Sequence, residues 1–126
     1  MIGIDIIKTA RMQKLMERFE KKGLQKFLCE EEIILVKSYK TAAGFWAAKE
    51  AFSKAVGTGI GAECSFKDIK IYKTKQGAPR LALSKKVVER FNILNAALSI
   101  THDGEYAVCV VTIELNSTAT DKVKQF

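Results

Sequence analysis

Residues 41–61 constrain this chain more than any other stretch. Thr41-Ala-Ala-Gly-Phe-Trp-Ala-Ala-Lys-Glu50-Ala-Phe-Ser-Lys54-Ala-Val56 is rich in alanine and free of proline, so it reads as a long helix. It runs into Gly57-Thr-Gly59-Ile-Gly61, whose glycines can take the positive φ that closes a helix. Phe45, Ala48, Phe52 and Ala55 recur at helical spacing and form an apolar face that must be covered. Past the glycines the pattern changes period. Residues 66–73 read as a strand, Gln76-Gly77-Ala78-Pro79 as a turn, and 80–83 as a second strand. Ser84 can cap a short helix through about residue 91. Residues 98–101 and 106–115 follow as apolar strands joined by His102-Asp-Gly-Glu105, a hairpin signal.

Ahead of the long helix, residues 1–7 alternate Ile2, Ile4 and Ile6 against Gly3, Asp5 and Ile7 and read as a short buried strand. Met12, Leu15, Met16 and Phe19 then predict an amphipathic helix over 9–22, ending near Gly23. Another helix starts around Glu30-Glu31-Glu32, where acids suit the positive end of a helix dipole. Helices early and strands late imply an α+β fold, a mainly antiparallel sheet packed against the long central helix. With 126 residues and one proline, the expectation is a single domain over 1–115 and a polar tail over 116–126. No run approaches the roughly 20 apolar residues that cross a bilayer. The opening Met1-Ile-Gly-Ile-Asp5 lacks the basic region of a secretory leader, so a cytoplasmic protein without membrane partners is expected.

Charge narrows the partners. The formal net charge of +7 favours anions: nucleic acid, an acidic protein or a phosphate-rich small molecule. Seven basic residues against three acids lie within residues 1–26. Arg11, Lys14, Arg18 and Lys21 form a basic stripe there, which is either a solvated helix face or a docking surface. The three cysteines, Cys29, Cys64 and Cys109, are far apart and odd in number, which supports neither a disulfide framework nor a zinc site. Cys109 reads as core packing.

Three positions could carry chemistry. Asp5 stands among isoleucines, either solvated at a strand end, capping the next helix, or paired with a cation. Glu50 and Lys54 share one helix face, which fits an ordinary surface ion pair or a site. The glycine loop after them lacks the P-loop arrangement, but its backbone N–H groups could approach a phosphate. His102, the only histidine, is a structural hydrogen-bonder or, with Thr101, Lys54 and the glycines, part of a polyanion site.

These blocks, Gly3-Ile-Asp5-Ile6, then 43–61, then Phe66-Lys-Asp68-Ile69, Gly77-Ala-Pro79 and Ser99-Ile-Thr-His102, together closely resemble the holo-[acyl-carrier-protein] synthase family of bacterial 4′-phosphopantetheinyl transferases. The resemblance runs from residue 1 to about 115, and the Lys49-to-Gly61 block is its most specific part. It implies an α+β homotrimer with each active site at a subunit interface, and transfer of 4′-phosphopantetheine from coenzyme A to a serine of apo-acyl-carrier protein, releasing adenosine 3′,5′-bisphosphate. Asp5 and Glu50 would hold Mg²⁺, and Lys54 would meet the cosubstrate phosphates. Gly57, Gly59, Gly61, Gly77, Pro79, Thr101 and His102 would line the coenzyme A nucleotide site. Arg11, Arg18 and Lys21 would receive the acidic carrier protein. Glu50, acting through a metal-bound water, or else Asp5 would take the serine proton.

The chain departs from the family twice. Phe45 replaces the usual Arg near coenzyme A phosphate, for which Lys49, Lys73 or Arg80 could substitute, and Ala78 replaces the frequent Lys of the Gly-Lys-Pro turn. The competing reading, a small basic nucleic-acid-binding module, fits the charge. It leaves Asp5 and Glu50 unexplained and finds Phe45, Trp46, Phe52 and Phe66 in helix or strand cores instead of on an exposed platform.

Overall fold

The computed structural model describes residues 1–116 and Gln125. The polar tail expected over 116–126 therefore lies, but for Asn116 and Gln125, outside the described residues. Three strands, β1 (Ile2–Lys8), β4 (Ile93–Asp103) and β5 (Tyr106–Leu115), form an antiparallel sheet in the order β1-β5-β4. A separate antiparallel hairpin pairs β2 (Ile69–Lys73) with β3 (Pro79–Leu83). The long helix α4 (Tyr39–Val56) lies across the larger sheet. The α+β architecture is as the sequence implied.

Local chemistry explains the limits of α4. Ser38 Oγ accepts from the Lys40 N–H at its start, and Gly57, at φ 89°, closes it. Its small face, Ala47, Ala48, Ala51 and Ala55, is buried against the sheet residues Ile7, Ala107, Cys109 and Val111. Phe45 and Phe52 are buried too, each contributing about 2–3 kcal/mol by leaving water.

Three expectations need correction. The first helix, α1, spans only Thr9–Phe19, because Glu20 takes a positive φ of 52° and redirects the chain into α2 (Lys21–Gln25). Gly23 does not end that helix. It lies inside α2, where an added Cβ would stand 2.9 Å from Leu15 Cγ, so the missing side chain lets α2 fold back on α1. The acids at 30–32 open only a single turn, α3 (Glu30–Ile33), and Glu32 is buried.

The strand β1 is not buried on both faces. Ile2, Ile4 and Ile6 are 69%, 59% and 59% exposed, and the inward face belongs to Gly3, Asp5 and Ile7. Later elements hold closer to expectation. Ser84 caps α5 (Lys85–Phe91) by accepting from the Val87 N–H, while 66–68 form a 3₁₀ turn before β2 and β4 begins at Ile93. Among the described residues no helix is long and apolar enough to cross a membrane.

Candidate active site

The site begins with a close approach. A Cβ on Gly3 would lie 2.0 Å from the Ala51 carbonyl oxygen and 2.6 Å from the Ala55 nitrogen, so only glycine lets β1 sit this deep on α4. Two residues on, the same inward face presents Asp5 to the C-terminal half of α4. Lys54 Nζ donates to Asp5 Oδ1 at 2.8 Å. The Lys54 side chain stays 52% exposed and that of Asp5 only 13%, so the acid is recessed and its partner reaches in from solvent.

Glu50, one turn before Lys54, belongs to the same cluster. Burial and then the nearby Asp5 charge push its carboxyl above the ordinary range, while Lys54 and Arg11 pull the other way. The structure thus places Asp5, Glu50 and Lys54 in one cluster. The direct contact, however, is Asp5–Lys54 instead of the Glu50–Lys54 pair that helical spacing suggested. Lys54 contacts Asp5 alone, so the half-buried Glu50 carboxylate feels Lys54 and Arg11 only at a distance.

The donor set bears on the metal expectation. Among the described residues no group of three or more His, Cys, Asp or Glu converges. Two hard carboxylates, one of them poorly solvated, suit a Mg²⁺ ion, which takes one or two protein carboxylates and completes its shell with water and substrate phosphate. They do not suit a structural zinc site, which demands four nitrogen or sulfur ligands. The residues fit the ion that the resemblance implied.

The glycine loop behaves differently from expectation. The N–H groups of Gly57, Thr58 and Gly59 all donate to Ser53 O, and that of Gly61 to Cys64 O. Three of these donors cap α4 and the fourth closes the loop, so all four are already engaged. Nothing lies within 4 Å of a Cβ built on Gly57, Gly59 or Gly61, so what the loop supplies beside Lys54 is room.

The other predicted residues gather at the opposite half of α4. The His102 ring lies against Gly44, where an added Cβ would come within 3.4 Å of Nε2, and Nε2 is 2.9 Å from the Lys40 carbonyl. A carbonyl only accepts, so Nε2 carries a hydrogen and Nδ1 is the nitrogen left for other partners. His102 lines a cavity of about 190 Å³ with Thr41, Phe45, Lys73 and Pro79. Thr101 is exposed beside it on β4, and Gly77 forms the adjoining turn with φ 86°. Lys54 follows Gly44 by ten residues, about 15 Å of helix rise. The single chain thus separates the acid cluster from the histidine cavity.

The departures from the family pattern resolve unequally. Phe45 is 2% exposed and gives the cavity an apolar floor. Lys73 faces that cavity and is available to an anion there. Arg80 is exposed and donates to the neighbouring Pro79 carbonyl. Lys49 is no substitute, being fully buried with its ammonium held by Phe27 O, Glu32 and Phe66 O. Burial pushes its pKa down and Glu32 opposes that. A signal existed in the sequence. Lys49 falls four residues after Phe45 and three before Phe52, on the covered face.

Of the basic stripe, Arg11, Lys14 and Arg18 are exposed on α1, but Lys21 starts α2 beyond the break at Glu20 and pairs with Glu30 at 3.1 Å on the surface. The stripe is therefore two segments, not one helix face. Arg11 stands 6.0 Å from the Trp46 ring and borders a groove of about 330 Å³ formed by Leu15, Lys26, Phe27, Trp46 and Phe66. Sequence reading missed this groove. Cys109 and Cys64 are buried, with their thiols pushed up to about 12 and about 11, chiefly by burial, so both are unreactive packing.

Comparison with known proteins joins these observations. The sequence pattern of the 4′-phosphopantetheinyl transferase superfamily matches residues 1–111. The chain is 62% identical over 123 residues to a holo-[acyl-carrier-protein] synthase of Sulfurimonas denitrificans, covering 98% of this chain and 100% of that protein. Its structure is similar to that of Helicobacter pylori holo-[acyl-carrier-protein] synthase in complex with coenzyme A. There the identity is 47% and the TM-score 0.87, over 90% of this chain and 100% of that one. A Bacillus anthracis holo-(acyl-carrier-protein) synthase in complex with CoA (3′,5′-ADP) matches at 39% identity and TM-score 0.76, over 91% and 96% of the two chains.

Proposed function

Because the chain belongs to the 4′-phosphopantetheinyl transferase superfamily, as a holo-[acyl-carrier-protein] synthase, we propose that it transfers 4′-phosphopantetheine from coenzyme A to apo-acyl-carrier protein. The carrier's serine oxygen forms the new bond to the β-phosphorus of coenzyme A. The bond to adenosine 3′,5′-bisphosphate breaks, and the nucleotide leaves with the electron pair. Glu50, on the face of α4 that meets Asp5, is the base that takes the serine proton. Lys54, exposed and one turn away, meets the charge that develops on the leaving phosphate. Asp5 and Glu50 would hold Mg²⁺, which neutralises diphosphate charge when bound. The glycines 57–61 leave space for the diphosphate.

The nucleotide would enter at the cavity beside His102, with Lys73 as its cation and Pro79 at its edge, next to the Gly77 turn. That cavity and the acid cluster sit at opposite halves of α4, so a complete site needs a second copy. The exposed face of Ile2, Ile4 and Ile6 supplies an apolar surface for assembly, in keeping with a homotrimer. Arg11, Arg18 and Lys21 receive the acidic carrier, and the aromatic groove beside Arg11 gives that face an apolar anchor.

The observation that carries this reading is the approach of β1 to α4 at Gly3, which puts Asp5 on Lys54 and next to Glu50. Its test is direct. The protein is incubated with apo-acyl-carrier protein, coenzyme A and Mg²⁺, and the carrier is weighed by mass spectrometry. One added phosphopantetheine group is expected, and an unchanged carrier mass overturns the proposal.

A further inference from the structure

Among the described residues Lys49 is the only lysine withdrawn from solvent, and all three of its ammonium hydrogens are used. Nζ donates to Phe27 O at 2.7 Å, to Glu32 Oε1 at 2.9 Å and to Phe66 O at 3.0 Å. The two carbonyls come from different segments, the loop after α2 and the 3₁₀ turn before β2. The rings of the same two residues meet around Trp46, with centroids 5.1 Å (Phe27–Trp46), 4.8 Å (Trp46–Phe66) and 6.0 Å (Phe27–Phe66) apart. Trp46 is three residues before Lys49 on α4, so one helix face supplies both the central ring and the cation that holds its two neighbours.

Glu32 extends the hold. Its Oε1 also accepts from the Cys29 N–H and its Oε2 from the Ile71 N–H, each at 3.0 Å. Lys67 adds a second clamp on the same loop by donating to Gln25 O and Leu28 O. A buried ion pair is seldom more stabilising than an apolar pair of equal volume, so stability alone is a poor account of this one. Geometry is a better account, because an ammonium with three fixed acceptors sets where each of them sits. Full burial with every donor engaged excludes contact with substrate.

We propose that Lys49, with Glu32, is a positioning residue for carrier recognition, holding Phe66 and the fully buried Phe27 beneath it so that Phe66 and Trp46 form the wall of the groove beside Arg11. The inference rests on the reading of that groove as part of the carrier-binding face. It predicts an effect on carrier binding with coenzyme A binding and turnover left alone.

The test replaces the pair by apolar residues of similar volume, Lys49→Met with Glu32→Leu, in the full-length protein. Unfolding is followed by circular dichroism. Emission from Trp46, the only tryptophan, reads the groove without requiring turnover. The expected result is a folded protein with shifted Trp46 emission, KM for carrier raised about tenfold, and kcat and KM for coenzyme A within about twofold of wild type. Native emission with native carrier KM overturns the assignment, as does an equal rise in both KM values. If the double variant fails to fold, Lys49→Arg keeps the buried charge but changes its shape, and the same split is expected of it. If neither folds, the pair serves stability only and the proposal falls. If the wild-type protein itself leaves the carrier unmodified, the functional reading fails, and the emission comparison still decides whether Lys49 shapes the groove.

Discussion

Lys49 and Glu50 are neighbours on one helix and live in opposite electrostatic surroundings. Lys49 faces inward to Glu32, and between them every hydrogen and both carboxylate oxygens are engaged. Glu50 faces the Asp5–Lys54 contact, where the ammonium meets Asp5 alone, and burial with the Asp5 charge holds Glu50 above its ordinary pKa. Both clusters combine lysine with carboxylate, but only the first is balanced. A balanced buried cluster fixes shape and has nothing left to offer a ligand. An unbalanced, half-buried one carries a standing cost that a cation or a proton relieves, which is what a metal-assisted phosphoryl transfer site requires.

Three measurements press on that contrast. The largest effect belongs to the unbalanced side. Glu50→Gln should lower the initial rate of carrier modification by at least about a thousandfold, about 4 kcal/mol in barrier, with no loss in thermal unfolding midpoint. A large drop in that midpoint would mean that Glu50 is structural after all.

The second measurement concerns a balanced acid in another place. Asp68 is opposed by burial, but hydrogen bonds from Ser65, Lys86 and Ser84 outweigh it and hold the carboxyl down to about 2. A carboxyl depressed in the folded state stabilises above its unfolded pKa, and that contribution is lost as pH falls through the folded value. Urea unfolding should therefore lose about 2 kcal/mol between about pH 4 and pH 2, and Asp68→Asn should abolish that part of the slope. An unchanged slope in the variant would remove Asp68 from the balanced class.

The smallest effect is at the rim. Arg18→Glu should raise KM for carrier about tenfold, about 1.4 kcal/mol, while leaving KM for coenzyme A unchanged, both read from steady-state rates. Equal changes in the two would show that the exposed basic stripe is no docking surface.

The site was legible where chemistry is encoded in residue type. A lone acid among isoleucines, an acid and a lysine one helical turn apart, and a single histidine after a strand marked the positions that the structure gathers into two clusters. What stayed hidden depended on neighbours distant in the chain. The groove needs rings from residues 27, 46 and 66, and no local pattern announces that three separate segments meet.

The amino-acid order by itself determined the element types and the α+β class, because helical and alternating periods, caps and glycines act over a few residues. It also marked which acids had to find a cation, because a carboxylate's hydration cost goes wherever the residue goes. Tertiary structure alone decided direction. It turned Ile2, Ile4 and Ile6 outward, buried Lys49, broke the first helix at Glu20 and spent the glycine-loop donors on Ser53. In each case the outcome depended on which surface came to cover the element, and no window of sequence contains that surface.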